Sequence, residues 1–163
     1  MEELYQTYLT FSLDKENFAL NVEHVEKILE YQEVTEVPKA PEYMLGVFNL
    51  RGEVIPLIDT RVKFGMEKTK ITSSTCVLVI NITSDSETIK LGALVDNVKE
   101  VIKYETTDIM KLPTVGKQNK TEFLNGVMKI NNEFVLLLNA DKIFSVDEIV
   151  ELRAANFDLE NAE

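Results

Sequence analysis

An internal duplication constrains the fold of this chain more than any other feature of its sequence. Residues 46–64 align with residues 126–144 at an offset of 80 positions, and residues 18–29 align with residues 91–102 at an offset of 73. Identical residues fall at Gly46/Gly126, Val47/Val127, Glu53/Glu133, Leu57/Leu137 and Phe64/Phe144, and the second offset matches Val22 with Val95 and Val25 with Val98. The matches keep the same order in both halves, so they predict two related structural units.

The two predicted units are residues 1–70 and 71–145, followed by a C-terminal segment of residues 146–163. Each unit contains about five short apolar segments, which suits a small closed barrel that leaves few exposed sheet edges. Units of this size are only marginally stable alone, so we expect them to pack against each other. The contact between them would form a groove for a binding partner.

Local patterns predict an all-β fold with few helices. Leu9, Phe11 and Leu13 alternate with polar residues, as in a strand with one buried face. Tight hairpins are predicted at Arg51-Gly52 and at Asn131-Asn132, because Gly and Asn tolerate the left-handed backbone region that such turns require. Residues 22–29 fit a bent strand better than a short helix. Residues 146–156 have helical periodicity, with Ser145 as the N-cap.

Composition argues against several classes of partner. The net charge of −11 repels nucleic acid and anionic membrane surfaces. Cys76 is the single cysteine, so no intrachain disulfide forms, and its apolar neighbours indicate a buried thiol. The N-terminus is acidic, and no apolar run approaches the roughly 20 residues of a membrane span. We therefore expect a cytoplasmic protein.

The sequence offers no arrangement of residues that predicts catalysis. His24 is the only histidine, and no nucleophile elbow or phosphate-binding glycine loop is present. Histidine, cysteine and carboxylate residues do not cluster at metal-ligand spacing. We expect a non-enzymatic protein without cofactor or metal, which acts by contact.

The segment from Gly46 to Asp59 closely resembles the signature of the CheW family. In that family an Asn-Leu-Arg-Gly hairpin, here residues 49–52, leads into a strand of the type found here at residues 55–59. Residues 62–65 and 92–98 are also similar to the family, and the resemblance runs from about Tyr5 to Phe144. It implies two five-stranded SH3-like barrels in tandem, related by a pseudo-twofold axis.

The resemblance also implies partners. Proteins of the CheW family join the cytoplasmic signalling tips of methyl-accepting chemoreceptors to the regulatory domain of the histidine kinase CheA. The chain is thus expected to be a chemotaxis adaptor of the chemoreceptor array, with no nucleic-acid partner and no direct membrane insertion. Two alternatives are a CheW-like module of a CheV-type regulator and an unrelated SH3-like peptide-binding module.

Site residues follow from the same resemblance. The receptor groove is expected at Leu9, Val22, Val25, Ile28 and Val98. The signature hairpin and partner surface is expected at Gly46, Asn49, Leu50, Arg51, Gly52 and Glu53, with Glu133 facing the kinase. Many relatives carry Glu where this chain has Lys27, a candidate partner for the hairpin arginine. Glu26 and Glu53 therefore remain alternative partners for Arg51.

Overall fold

Short strands make up most of the chain. The computed structural model describes residues 4–84, 87–112 and 123–158, so the part of the predicted C-terminal segment beyond residue 158 lies outside the described residues. The strands are β1 (Tyr5–Leu13), β2 (Glu16–Asn21), β3 (Val25–Glu30), β4 (Met44–Leu50), β5 (Glu53–Asp59), β6 (Cys76–Ser84), β7 (Glu87–Val95), β8 (Asn97–Glu105), β9 (Leu124–Ile130), β10 (Glu133–Leu138) and β11 (Phe157–Asp158). The α-helices are α1 (Thr60–Lys63) and α2 (Val146–Ala155), and the 3-10 turns are Val22–His24, Thr106–Asp108 and Ala140–Lys142.

The strands form two sheets that exchange hairpins. One sheet has the order β8-β1-β2-β10-β9. The other has the order β11-β5-β7-β6-β3, with β4 also paired to β5. The predicted all-β class with two five-stranded units is confirmed, with β11 as a two-residue addition. Neither sheet is confined to residues 1–70 or 71–145, because the first hairpin of each half completes the sheet of the other half. The division at residue 70 stays a prediction about the repeat.

Strand register follows the duplication. In one sheet, β5 runs parallel to β7 with Leu57 opposite Gly92. In the other, β10 runs parallel to β2 with Leu137 opposite Ala19. Leu57 and Leu137 are 80 residues apart, and Ala19 and Gly92 are 73 apart, which are the two offsets found in the sequence. The repeats therefore occupy equivalent places in the two sheets.

Glycine is required at both duplicated positions, Gly46 and Gly126, for the same steric reason. A Cβ on Gly46 would lie 2.4 Å from the carbonyl oxygen of Thr35. A Cβ on Gly126 would lie 2.7 Å from the carbonyl oxygen of Met110. Any side chain at either position would displace a neighbouring backbone, which accounts for glycine in both repeats.

The core consists of three apolar clusters, and two of them account for the long apolar run at residues 76–80. One lies within the β5 sheet and includes Val77 and Val79, and a second lies within the β10 sheet around Met128. The third lies between the sheets and includes Leu78 and Ile80. Strand β6 is therefore buried on both faces, so its sequence shows no alternation.

The predicted turns and helix are present. Arg51 and Gly52 have φ of 51° and 88°, and Asn131 and Asn132 have φ of 51° and 67°. The ambiguous segment at residues 22–29 is a 3-10 turn followed by strand β3. Helix α2 begins with a capping box, in which the Ser145 hydroxyl accepts from the Glu148 backbone N–H and the Glu148 carboxylate accepts from that of Ser145.

Candidate partner-binding site

The signature hairpin lies between β4 and β5, with its turn at the surface. The side-chain Oδ1 of Asn49 accepts a hydrogen bond of 2.9 Å from the Gly52 backbone N–H. This bond fixes the turn from inside the motif, because an Asn side chain mimics a backbone acceptor. Leu50 closes the hairpin opposite Glu53. The motif thus builds a rigid turn that presents the exposed side chain of Arg51.

Arg51 makes no ion pair within residues 4–84, 87–112 and 123–158. The two carboxylates considered as its partners, those of Glu26 and Glu53, instead bind Lys90. The half-buried Lys27 lies on β3. The guanidinium of Arg51 is therefore available at the surface for a carboxylate or a carbonyl of another protein.

Lys90 is the centre of a network that connects three strands. Its Nζ lies 3.0 Å from Oε1 of Glu26 on β3 and 3.1 Å from Oε1 of Glu53 on β5. Burial lowers the pKa of the ammonium, but its hydrogen bonds to both carboxylates outweigh burial and raise the pKa overall. The other carboxylate oxygen of Glu53 accepts from the side-chain amide of Asn156 at 2.9 Å. Glu53 therefore anchors the hairpin, in addition to lying near its tip.

Sequence reasoning missed Lys90. The one sign of its role in the sequence is the position of a lysine inside the apolar segment of residues 89–95. A charged side chain there needs a partner, because burial of an unpaired charge is unfavourable. Its partners Glu26 and Glu53 are not evident from their sequence positions, because β3, β5 and β7 come into one sheet only when the chain folds.

The predicted receptor-groove residues divide into three groups by exposure. Val22, Val25 and Val98 are half-buried and pack against the apolar cluster between the sheets. Ile28 is 48 % exposed on edge strand β3, whereas Leu9 is only 2 % exposed. Leu9 is a core residue in this structure, so a partner cannot contact it without a rearrangement, and we leave it out of the proposed surface.

The three valines pack against the apolar cluster that lies between the two sheets. Val25 lies on β3 opposite Ile80, and Val98 lies on β8 opposite Phe11. Both partners belong to the cluster between the sheets, to which Val22 also packs. We call Val22, Val25, Val98 and Ile28 the valine rim. Apolar side chains left partly exposed beside a shared core are typical of a surface that binds another protein.

Val101 is an exposed apolar residue like Ile28, but sequence reasoning did not single it out. It is 60 % exposed on edge strand β8, and the offset of 73 makes it the counterpart of Ile28. The offset of 73 between the repeats is what identifies Ile28 and Val101 as equivalent residues. The two residues therefore offer matched positions, one on each sheet.

Glu133 lies at the start of β10, as Glu53 lies at the start of β5. The carboxylate Oε2 of Glu133 accepts a hydrogen bond of 3.1 Å from the side-chain amide of Asn17. Asn17 is the counterpart of Lys90 at the offset of 73. The two glutamates therefore occupy equivalent places, but Glu133 is exposed and faces a neutral amide in place of a cation.

The described residues give no indication of a metal or catalytic centre. No group of three or more His, Cys, Asp and Glu that could hold a metal ion occurs among them. His24 lies on the Val22–His24 turn, 3.5 Å from the carboxylate of neighbouring Glu23. Cys76 is half-buried, and its Sγ donates to the Ser74 carbonyl oxygen at 3.3 Å. Within the described ranges, no helix is long and apolar enough to cross a bilayer.

Comparisons with known proteins agree with the geometry. Residues 7–148 match the family model described as CheW-like domain. The chain is 30 % identical over 148 residues to a chemotaxis protein CheW of Klebsiella aerogenes, covering 91 % of this chain and 87 % of that protein. It is 33 % identical over 147 residues to a chemotaxis protein CheW of Helicobacter pylori, covering 90 % and 85 % of the two chains.

Two further comparisons concern domain content and fold. A chemotaxis protein CheV3 of Helicobacter pylori is 26 % identical over 147 residues, but only 44 % of that protein is covered. The crystal structure of the scaffolding protein TtCheW from Thermoanaerobacter tengcongensis superposes with a TM-score of 0.77 at 26 % identity. That superposition covers 90 % of this chain and 92 % of the other.

Proposed function

The chain belongs to the CheW-like domain family, and we propose that it is a non-enzymatic adaptor that couples chemoreceptor tips to the histidine kinase CheA. The match of residues 7–148 to the family carries this proposal. The two CheW relatives described above are covered over 87 % and 85 % of their length, whereas CheV3 is covered over 44 %. We expect the adaptor to act in the cytoplasm, where both partners present these domains.

We propose that a receptor helix docks on the valine rim. An amphipathic helix places apolar residues at intervals of three and four along one face, which fits a partly apolar groove. Val22, Val25 and Val98 supply the half-buried floor, and Ile28 supplies an exposed contact. Glu30 is exposed two residues after Ile28 on β3, whereas the Glu26 carboxylate is paired with Lys90. Glu30 favours a receptor helix that carries a basic residue beside its apolar face.

We propose that the kinase contacts the hairpin ends. Arg51 extends from the rigid turn of one sheet, and Glu133 lies beside the equivalent turn of the other. The two ends carry opposite charges, so they suit two different contacts on the kinase side. Charged side chains at the periphery of an interface influence partner choice and association rate more than affinity.

Coupling then results from simultaneous binding. An adaptor that holds the receptor and the kinase at once raises the effective concentration of the kinase near the receptor. Each interface can be weak, because the second binding event becomes intramolecular. No bond is made or broken, which agrees with a chain that we propose to be non-enzymatic.

A pull-down with two baits tests this function. The baits are a receptor signalling tip and the regulatory domain of CheA, both from the organism that encodes this chain. The chain is expected to bind each bait alone and to bring both into one complex. A Val25→Asp variant with an unchanged circular-dichroism spectrum is expected to lose the receptor and keep the kinase domain. Failure of the wild-type chain to bind either bait contradicts the proposal.

A further inference from the structure

Two equivalent apolar residues differ sharply in exposure. Val54 on β5 and Phe134 on β10 are related by the offset of 80. Val54 is 8 % exposed, whereas Phe134 is 65 % exposed. A phenylalanine is the larger of the two, so the difference comes from the surroundings and not from side-chain size.

Strand β11 pairs with β5 beside Val54, and Asn156 fastens it there. Phe157 lies opposite Val54 in an antiparallel ladder. The side-chain Oδ1 of Asn156 accepts from the Lys90 backbone N–H at 2.8 Å, and its Nδ2 donates to the Val54 carbonyl oxygen at 3.0 Å. The same Nδ2 donates to Oε2 of Glu53 at 2.9 Å. One carboxamide thus fills the gap where β5 and β7 separate.

The β10 sheet presents the same backbone groups at the equivalent place. Ile130 and Glu133 close the β9–β10 hairpin as a hydrogen-bonded pair, so the N–H and C=O of Phe134 point away from β9. By the same alternation, the backbone of Asn17 points away from β1, because it follows the closing pair of the β1–β2 hairpin. The carboxylate of Glu133 lies beside Asn17, as the carboxylate of Glu53 lies beside Lys90 in the other sheet.

Nothing in the described ranges pairs with this side of β10 at Glu133 and Phe134. Strand β2 reaches β10 only at Leu136 and Leu137. We call Glu133, Phe134 and the facing backbone of Asn17 the open β10 edge. It has a donor from Asn17, an acceptor from Phe134 and a carboxylate acceptor from Glu133, which are the three groups that Asn156 satisfies in the other sheet.

We propose that the open β10 edge binds an extended segment of another protein, led by an Asn or Gln and followed by an apolar residue. A side-chain carboxamide is the neutral group that supplies both the required acceptor and the required donors. The backbone of the apolar residue would pair with that of Phe134, as the backbone of Phe157 pairs with that of Val54. Binding of a strand to an exposed edge is a general mode of peptide recognition. This inference does not depend on the adaptor function, because it follows from the repeat alone.

The probe for this site is a synthetic peptide of residues 154–160, which carries the segment that occupies the equivalent edge. The peptide is titrated to millimolar concentration into the full-length, isotope-labelled chain, and backbone amide signals are followed by NMR. The amides of Asn17 and Phe134 are expected to shift and saturate. An Asn156→Ala peptide is the matched control and is expected to bind at least about tenfold more weakly, because it loses three hydrogen bonds.

Variants of the protein give a second test. Phe134→Pro also removes the backbone N–H that would pair with the incoming strand, and is expected to weaken peptide binding further than loss of the side chain alone, since proline is tolerated on strand edges but cannot donate there. Phe134→Ala keeps both backbone groups and is expected to weaken binding less. If Phe134→Pro proves misfolded by circular dichroism, the comparison of the two peptides still decides.

Three results overturn the proposal. The first is an absence of shifts at Asn17 and Phe134 in millimolar peptide. The second is equal affinity for the wild-type and Asn156→Ala peptides. The third is a set of shifts confined to Val54 and Lys90, which would show that the peptide only displaces the chain's own β11. The open β10 edge shares Glu133 with the proposed kinase contact, but the pull-down with receptor tip and kinase domain uses no peptide, so the adaptor function is tested separately.

Discussion

Arg61 and Asp96 form an ion pair that fastens the first half of the chain to the second. Nε of Arg61 lies 2.9 Å from Oδ1 and 3.0 Å from Oδ2 of Asp96, and Nη2 of Arg61 also contacts Oδ2. The backbone N–H of Asp14 donates to the same carboxylate at 2.6 Å. Helix α1, the β1–β2 turn and the β7–β8 turn therefore meet at one carboxylate.

We expect Arg61→Ala to lower the free energy of unfolding by about 1–3 kcal/mol, because it leaves a mostly buried carboxylate without its cation. Urea unfolding measures this change. Arg153→Ala is the matched control, since the Arg153–Glu87 pair is 43 % and 55 % exposed and we expect less than about 0.5 kcal/mol. Equal losses in the two variants would contradict the structural role of Arg61.

Stability at acidic pH is expected to depend on Glu148. Burial raises the pKa of this carboxyl, but hydrogen bonds from Lys63 and Ser145 outweigh burial and lower it overall. A lowered folded-state pKa contributes stability above the unfolded value, near 4.5, and this stability is lost as pH falls through the folded pKa. Glu148→Gln should therefore flatten the decline in unfolding free energy below pH 4.5.

The measurement is urea unfolding at a series of pH values. Glu151→Gln serves as a control on the same helix, because Glu151 is exposed and contributes no capping bond. At neutral pH we expect Glu148→Gln to lose about 1 kcal/mol, through the weakened capping box and the lost contact with Lys63. If the two variants show the same pH profile, Glu148 is not the group responsible.

Two glycines with positive φ predict a ranking of stabilities. Gly46→Ala places a Cβ 2.4 Å from a backbone oxygen at a φ of 154°, so two penalties combine. Gly65→Ala has open space around it and a φ of 83°, so we expect only the cost of the left-handed region, about 1–2 kcal/mol. Gly46→Ala should lose at least about 2 kcal/mol more by chemical denaturation. The opposite ranking would show that the Thr35 backbone moves aside at little cost.

Ile28 and Val101 provide a matched test of the valine rim. Both are exposed apolar residues on edge strands at equivalent places, so Asp at either position should change stability by a similar, small amount. We expect Ile28→Asp to weaken receptor-tip binding about tenfold or more, and Val101→Asp to leave it unchanged. Isothermal titration calorimetry with the receptor tip measures both. A loss in Val101→Asp as large as that in Ile28→Asp would argue against a rim centred on β3.

Arg51→Asn is expected to raise stability while lowering coupling. Arg51 has a φ of 51°, where asparagine is favoured over arginine, and the equivalent turn carries Asn131. We expect about 0.5–1 kcal/mol of added stability by thermal unfolding. Kinase activation in reconstituted arrays should fall, because the exposed guanidinium is lost. Unchanged activation would reduce Arg51 to an ordinary turn residue.

Local features of this fold were predictable because their physical causes are local. The hairpin at Arg51-Gly52 and the helix beginning after Ser145 depend on backbone preferences and capping within a few residues. The burial of Leu9 was not predictable, because the same alternation describes a groove residue and a core residue. The contacts of Glu26 and Glu53 with Lys90 join residues that are distant in the chain, so the sequence alone left the partner of Arg51 open.

The amino-acid sequence determined that the chain has two equivalent halves, which residues form strands and where the chain turns. Only the tertiary structure decided that the hairpin β1–β2 completes the sheet of β8–β10, and that β6–β7 completes the sheet of β3–β5. An offset between repeats shows which residues are equivalent, but equivalent strands can pair within their own half or across halves. Burial of β6 on both faces and the apolar cluster between the sheets are contacts of the folded chain, and they form only once the hairpins have been exchanged.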